Sequence, residues 1–137
     1  MKNKKTFDTA LIVVIIVGII LYGFVLDSNT ITMELGDNAV GVAGPDKTTA
    51  ILLFEEIESV ELYEDFDPGE AVEQTESEEI LNGIFENELL GEYQILAYQD
   101  CSSMIVITTS DTVFAFNNST AEETGEDYLS ILEAMGE

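Results

Sequence analysis

The sequence predicts a mainly β domain closed by a C-terminal α-helix and preceded by one transmembrane helix. Three observations carry that class. An uncharged apolar run lies near the N-terminus. Short alternating or apolar segments follow, separated by Gly, Pro, Asn and Asp. A capped, amphipathic stretch ends the chain. The 137 residues include 28 acids, four lysines, no arginine and no histidine, for a net charge of −24. Nucleic-acid binding needs cations that replace counterions along phosphate, so that class of partner is excluded. Histidine-dependent acid–base catalysis and ordinary zinc sites are excluded too. A single cysteine rules out an intramolecular disulfide and a Cys-cluster metal site.

The first element is the run Ala10 to Leu26, which has 17 residues and no charge. With Thr9 it makes about 27 Å of helix, close to the ~30 Å hydrocarbon core of a bilayer. A soluble surface helix needs a polar face, and this run has none. The basic residues Lys2, Lys4 and Lys5 precede it, as in a signal peptide. The apolar part is long for a cleaved signal, however, and no small-x-small cleavage site follows. The expectation is an uncleaved signal anchor. Residues 1–9 form a cytoplasmic basic N-terminus, 10–26 the membrane helix, 27–30 a tether and 31–137 an external domain. That external part holds 27 of the 28 acids and only Lys47, a net charge of −26.

About 105 residues beyond the tether suffice for one small domain. Ile31, Met33 and Leu35 alternate with polar residues. Gly36-Asp37-Asn38 then makes a turn into Val40-Gly41-Val42, which reads as a hairpin. Gly44-Pro45-Asp46 is the next turn, and Ala50 to Phe54 a compact apolar strand. Ile57, Val60 and Leu62 follow among glutamates. Tyr93 to Tyr98 and Met104 to Thr109 are strands, and Ser110-Asp111 turns into Val113 to Phe116. Thr120 and Glu123 fit a capping box at the start of the last helix. Tyr128, Leu132 and Met135 mark its apolar stripe, with Leu129 and Ile131 alongside, and Gly136 ends it. Glu64 to Glu79 has eight acids in 16 residues and a Pro-Gly turn, and is expected to be a solvated acidic loop. Ile80 to Leu90 reads as a short strand or an edge.

Few motifs suggest chemistry. Gly41 to Thr48 resembles a phosphate loop, but Asp46 replaces the second glycine and Pro45 lacks an N–H, so a hairpin turn is the plainer reading. Asp65, Asp67 and Glu76 sit at the first, third and twelfth places of a calcium-loop pattern. The sixth place, where a glycine is required, is Glu70, and these three residues are only weak metal candidates. No metal site, cofactor or catalytic residue is assigned. A carboxylate pair for hydrolysis arises by chance among so many acids, and there is no tryptophan to floor a sugar site. Cys101 reads as a small, semi-buried turn residue. Asn117 and Asn118 head N-x-S/T triplets, which matter only in a glycosylating host.

The early hairpin, Phe54 to Leu62, Gly83-Ile84-Phe85 with Gly91-Glu92-Tyr93, Ile105 to Thr109, Val113 to Asn117 and the closing helix with Thr124, Tyr128 and Leu132 together resemble a bacterial pleckstrin-homology-like domain behind a single membrane helix. The resemblance covers about residues 30–135. It implies a PH-like split barrel of about seven antiparallel strands in two bent sheets, capped by one helix. It also implies a binding or scaffold role and no enzyme. Phosphoinositide-binding members use basic residues at the first hairpin, but Gly36 to Thr49 has only Lys47, beside Asp37 and Asp46. No anionic-lipid head-group binding is expected.

The expected function is therefore a membrane-anchored, extracytoplasmic, non-catalytic binding or scaffold domain of a bacterial envelope. Its partner is an unidentified protein or a second copy of itself. A calcium-responsive acidic surface domain and a small carboxylate hydrolase are the alternatives.

Overall fold

The computed structural model describes residues 30–45, 48–74 and 79–136. The expected cytoplasmic segment, membrane helix and most of the tether lie outside them, as do Lys47 and Glu76. No helix among the described residues is long and apolar enough to cross a membrane. The described part is mainly β, with nine strands in two sheets and one C-terminal helix.

Strands β1 (Thr32–Leu35), β2 (Ala39–Ala43) and β3 (Thr49–Leu53) form a three-stranded antiparallel sheet. Gly36 N–H donates to the Ala39 carbonyl (2.9 Å) and closes the first turn. The entry to β3 is held to the second sheet by Asn82 Nδ2, which donates to Thr48 Oγ1 at 2.7 Å. One turn of 3-10 helix, Phe54–Glu56, carries the chain into the second sheet.

The second sheet holds β4 (Ile57–Tyr63), β5 (Glu70–Gln74), β6 (Ile80–Asn87), β7 (Gly91–Tyr98), β8 (Met104–Thr109) and β9 (Val113–Phe116), in the order β4-β8-β9-β7-β6-β5. Neighbours are antiparallel except β7 and β9, which run parallel with Ile95 opposite Ala115. Two expectations change here. There are nine strands where about seven were expected, and one adjacent pair is parallel. The chain of pairings makes this possible: β9 turns back from β8 and fills the gap between β8 and β7.

The acidic stretch 64–79 is also revised. Residues 70–74 form β5, paired with β6 from Glu70 opposite Glu86 to Gln74 opposite Gly83. All five residues of β5 are exposed, so no apolar alternation announces the strand. Its backbone hydrogen bonds to β6 hold it instead. A bulge at Ala71–Glu73 admits Val72 as an extra residue. Gly83 is required beside it, because a Cβ there would lie 2.0 Å from the Glu73 carbonyl oxygen. Residues 80–90, read as a short strand or an edge, supply the eight-residue β6, one place in from the edge.

The large sheet buries both faces, so its central strands are near-continuous apolar runs. On one face Ile80, Leu96, Ile105, Ile107, Phe114 and Phe116 pack with Val40 and Val42 of the small sheet and with Ile131. On the other, Phe85, Tyr93, Ile95, Ala97, Met104, Val106 and Ala115 pack around Phe66. Phe66 belongs to the six-residue link between β4 and β5, which lie on opposite edges of the sheet. Following the pairings across the sheet, β4 and β5 run parallel, so the link must cross the sheet and return along it. Flat, the edges of six strands would lie about 24 Å apart. The link would then have to be almost fully extended. Gly69 instead turns with φ +81°, so the sheet must be curled under the link.

The helix α1 (Ala121–Ala134) closes the opposite face, packed on β4, β1 and β8. Thr120 caps it by accepting from Glu123 N–H at 3.1 Å. Only half of the expected box forms, since the Glu123 carboxylate accepts from Ser119 Oγ. Its buried residues are Thr124 and Ile131, with Tyr128 and Met135 partly buried, and Leu129 points to solvent at 63% exposure. Gly136, with φ +85°, follows the C-cap as expected.

Half-buried Asp127 accepts from Asn118 Nδ2 at 3.0 Å. Burial raises its carboxyl above the usual value, the Asn118 hydrogen bond works against that rise, and the neighbouring Glu123 charge adds to it. The folded state therefore favours the protonated acid. Stability falls as pH rises from the unfolded value through the folded one, the full penalty holds above that, and it vanishes below the unfolded value. Asp127→Asn should raise Tm at pH 7 and leave it unchanged near pH 3, as read by circular dichroism. An unchanged Tm at pH 7 would contradict this.

Candidate binding groove

The link Glu64–Gly69 is locked by four contacts. Phe66 N–H donates to the Ser102 carbonyl (2.9 Å), and Tyr93 OH donates to the Pro68 carbonyl (2.6 Å). Asn87 Nδ2 donates to the Asp67 carbonyl (2.8 Å), and Gly69 N–H donates to Asp67 Oδ1 (3.0 Å). Gly69 passes so close to β6 that a Cβ would lie 2.0 Å from the Glu86 carbonyl oxygen. The β6–β7 turn is set in the same way, by Leu90 N–H donating to Asn87 Oδ1 at 2.7 Å. Asn87 thus braces the link with one end of its amide and the turn with the other.

These elements enclose a groove of about 720 Å3 between the link, the outer strand β5 and the β6–β7 turn. Tyr63, Phe66, Ala71, Val72 and Leu89 supply its apolar lining, and Asp65, Asp67, Glu70, Glu86 and Glu88 its acids. Phe66 packs edge-on to Tyr93, with ring centroids 5.8 Å apart at 88°, and 5.9 Å from Tyr63. The Tyr63 hydroxyl donates to Glu61, and that hydrogen bond, then burial, then the Glu61 charge raise its pKa. Tyr93 is raised further, by burial first and by the Asp67 charge second, so it stays a neutral donor to Pro68. A second cavity, of about 270 Å3, lies between β3 and strands β5 to β7.

Asp65 and Asp67 both line the groove, while Glu76 lies outside the described residues. Asp67 spends a side-chain oxygen on the Gly69 turn. No group of three metal-ligating side chains forms among the described residues. Gly44 N–H donates to the Thr48 carbonyl at 2.9 Å, and Thr48 N–H donates to the Pro45 carbonyl at 3.1 Å. Cys101 is buried, its thiol within 3.9 Å of Thr124 Oγ1.

Asn117 is 1% exposed and structural. Its Oδ1 accepts from Tyr98 N–H at 2.7 Å. Its Nδ2 faces the carbonyls of Tyr98, Cys101 and Ser103 at 3.0 to 3.2 Å. A glycan cannot occupy that nitrogen in the folded domain.

Sequence reasoning missed Val72 and Leu89. Both sit among acids, where a lone aliphatic residue carries no periodic signal. Phe66 was the better clue, as an aromatic residue in a stretch otherwise suited to water. No family model, curated protein or solved structure matches the chain.

Proposed function

We propose that the chain is a single-pass membrane protein whose external domain is a non-catalytic binding module of a bacterial envelope, with a protein partner docking in the groove. The membrane part rests on the uncharged run 10–26 behind Lys2, Lys4 and Lys5. The binding part rests on one observation: a braced groove of about 720 Å3 in which the aliphatic side chains of Val72 and Leu89 stand open to solvent. The PH-like reading is supported by two packed sheets and a closing helix, and the parallel β7–β9 pair sets this arrangement apart from a simple meander. Self-association remains the second reading of the partner, through faces other than the groove.

Protease added to intact cells should remove the domain beyond residue 27 and spare residues 1–9. Protection of the domain would overturn the orientation. The calcium alternative predicts a selective response. The expected result is that millimolar calcium shifts Tm no more than magnesium at the same concentration, since both only screen repulsion among the acids. A calcium-selective rise would favour the cation-responsive reading.

A further inference from the structure

Val72 and Leu89 are two of the four large hydrophobic side chains left exposed among the described residues, at 54% and 60%, and both line the groove. Val72 is the extra residue of the β5 bulge, and Leu89 stands in the turn braced by Asn87. An aliphatic pair held beside a cavity calls for an apolar occupant.

The charge around the pair defines the rest of that occupant. Glu70, Glu86 and Glu88 line the same groove, with Asp65 and Asp67 at the link. The sequence has no lysine or arginine after Lys47, so none of these acids has a cation in the strands and turns that carry it. A second copy brought face to face would set five carboxylates against five within a Debye length of ~10 Å. An anionic lipid surface would be repelled in the same way.

We infer that the groove takes an extended lysine- or arginine-bearing segment of a partner protein, with an aliphatic side chain against Val72 and Leu89 and its cations facing Glu70, Glu86 and Glu88. This rests on the binding reading above and gives the partner its chemistry. The acids set direction and on-rate, and the aliphatic contact restricts the site to a peptide over a simple polycation.

The test uses the full chain in phosphatidylcholine nanodiscs and a fluorescent heptapeptide alternating lysine and leucine, followed by anisotropy. Two further heptapeptides replace lysine with serine or with glutamate. The lysine peptide should bind and the other two should not. The pair Glu86→Gln and Glu88→Gln should weaken binding about tenfold, and Leu89→Ser about fivefold. Glu122→Gln with Glu126→Gln removes the same charge on α1 and should change it less than about twofold. Equal losses from the two pairs would show a response to net charge alone and overturn the inference. So would equal displacement by spermidine, or no binding of the lysine peptide. The two readings separate when a photocrosslinking residue replaces Val72 in the native membrane. Capture of a segment without lysine or arginine would overturn the cationic chemistry and leave the binding reading standing. Absence of both capture and peptide binding would remove both.

Discussion

Asn117→Ala is expected to remove about 4 kcal/mol of stability, a large part of what a domain of this size has. The side chain sits between the end of β7, the β7–β8 connection and the end of β9. One oxygen accepts from Tyr98 N–H, and one nitrogen serves the carbonyls of Tyr98, Cys101 and Ser103. Alanine removes the Asn117 partner of the Tyr98 N–H and the Cys101 carbonyl, and leaves the Tyr98 and Ser103 carbonyls only the longer contacts from Cys101 N–H (3.3 Å) and Sγ (3.8 Å), in a pocket where Asn117, Cys101 and Ser103 are all buried. Asn117→Asp separates hydrogen bonding from shape. At neutral pH it puts a carboxylate against three carbonyl oxygens, and protonation restores one donor. Its folded pKa should therefore be raised, with the stability deficit largest above that value and smaller in acid. Urea unfolding followed by far-UV circular dichroism measures both, since the chain has no tryptophan. A loss below about 1 kcal/mol for Asn117→Ala would mean that water replaces the amide.

Phe66→Ala is expected to cost about 3–5 kcal/mol, within the range for deleting a buried aromatic ring. Phe66 is 8% exposed, although it sits in the most acidic stretch of the chain. It fills the second face of the large sheet against Phe85, Tyr93, Ala97 and Met104. Without the ring, the link keeps its backbone bonds to Ser102 and Asn87 but loses what anchors it over the curled sheet. Proteolysis between Glu64 and Gly69 should then speed up well before the domain unfolds, and Phe66→Leu should recover most of the stability. A variant that loses stability with no change in cleavage at the link would show that Phe66 supports the core without fastening the link.

The strands legible in the sequence are those whose burial leaves a pattern. Met104 to Ile107 is buried on both faces and reads as an uninterrupted apolar run, and the first hairpin has a turn signal between alternating segments. β5 leaves no such trace, because its five residues are exposed and only backbone pairing to β6 defines it. The α1 stripe was legible at Tyr128, Ile131 and Met135, which lie in or against the core, but Leu129 faces solvent and the first buried residue is Thr124, whose hydroxyl donates to the Thr120 carbonyl at 2.7 Å. A hydropathy reading passes over a threonine and assigns Leu129 to the interior. The parallel β7–β9 pair was illegible for a different reason. Turn chemistry announces neighbours along the chain, and β9 reaches β7 only by way of β8. Of the groove, the acids were visible as composition. Their meeting with Val72 and Leu89 depends on a link that crosses the sheet.

That crossing link has a consequence for the order of assembly. β4 ends at Tyr63, yet its ladder partner β8 begins at Met104, and β5 enters on the far edge in between. A chain made as far as Asn87 holds the small sheet and the β5–β6 hairpin but has nothing to pair with β4. Loop-closure entropy for the long β4–β8 excursion must be met before the large sheet rewards it, so the domain belongs among slow, late-committing folders. Until β8 and β9 have emerged, the apolar residues of β4 and the ring of Phe66 stay open to solvent. The acids flanking them then act as a charge barrier that keeps unfinished chains apart.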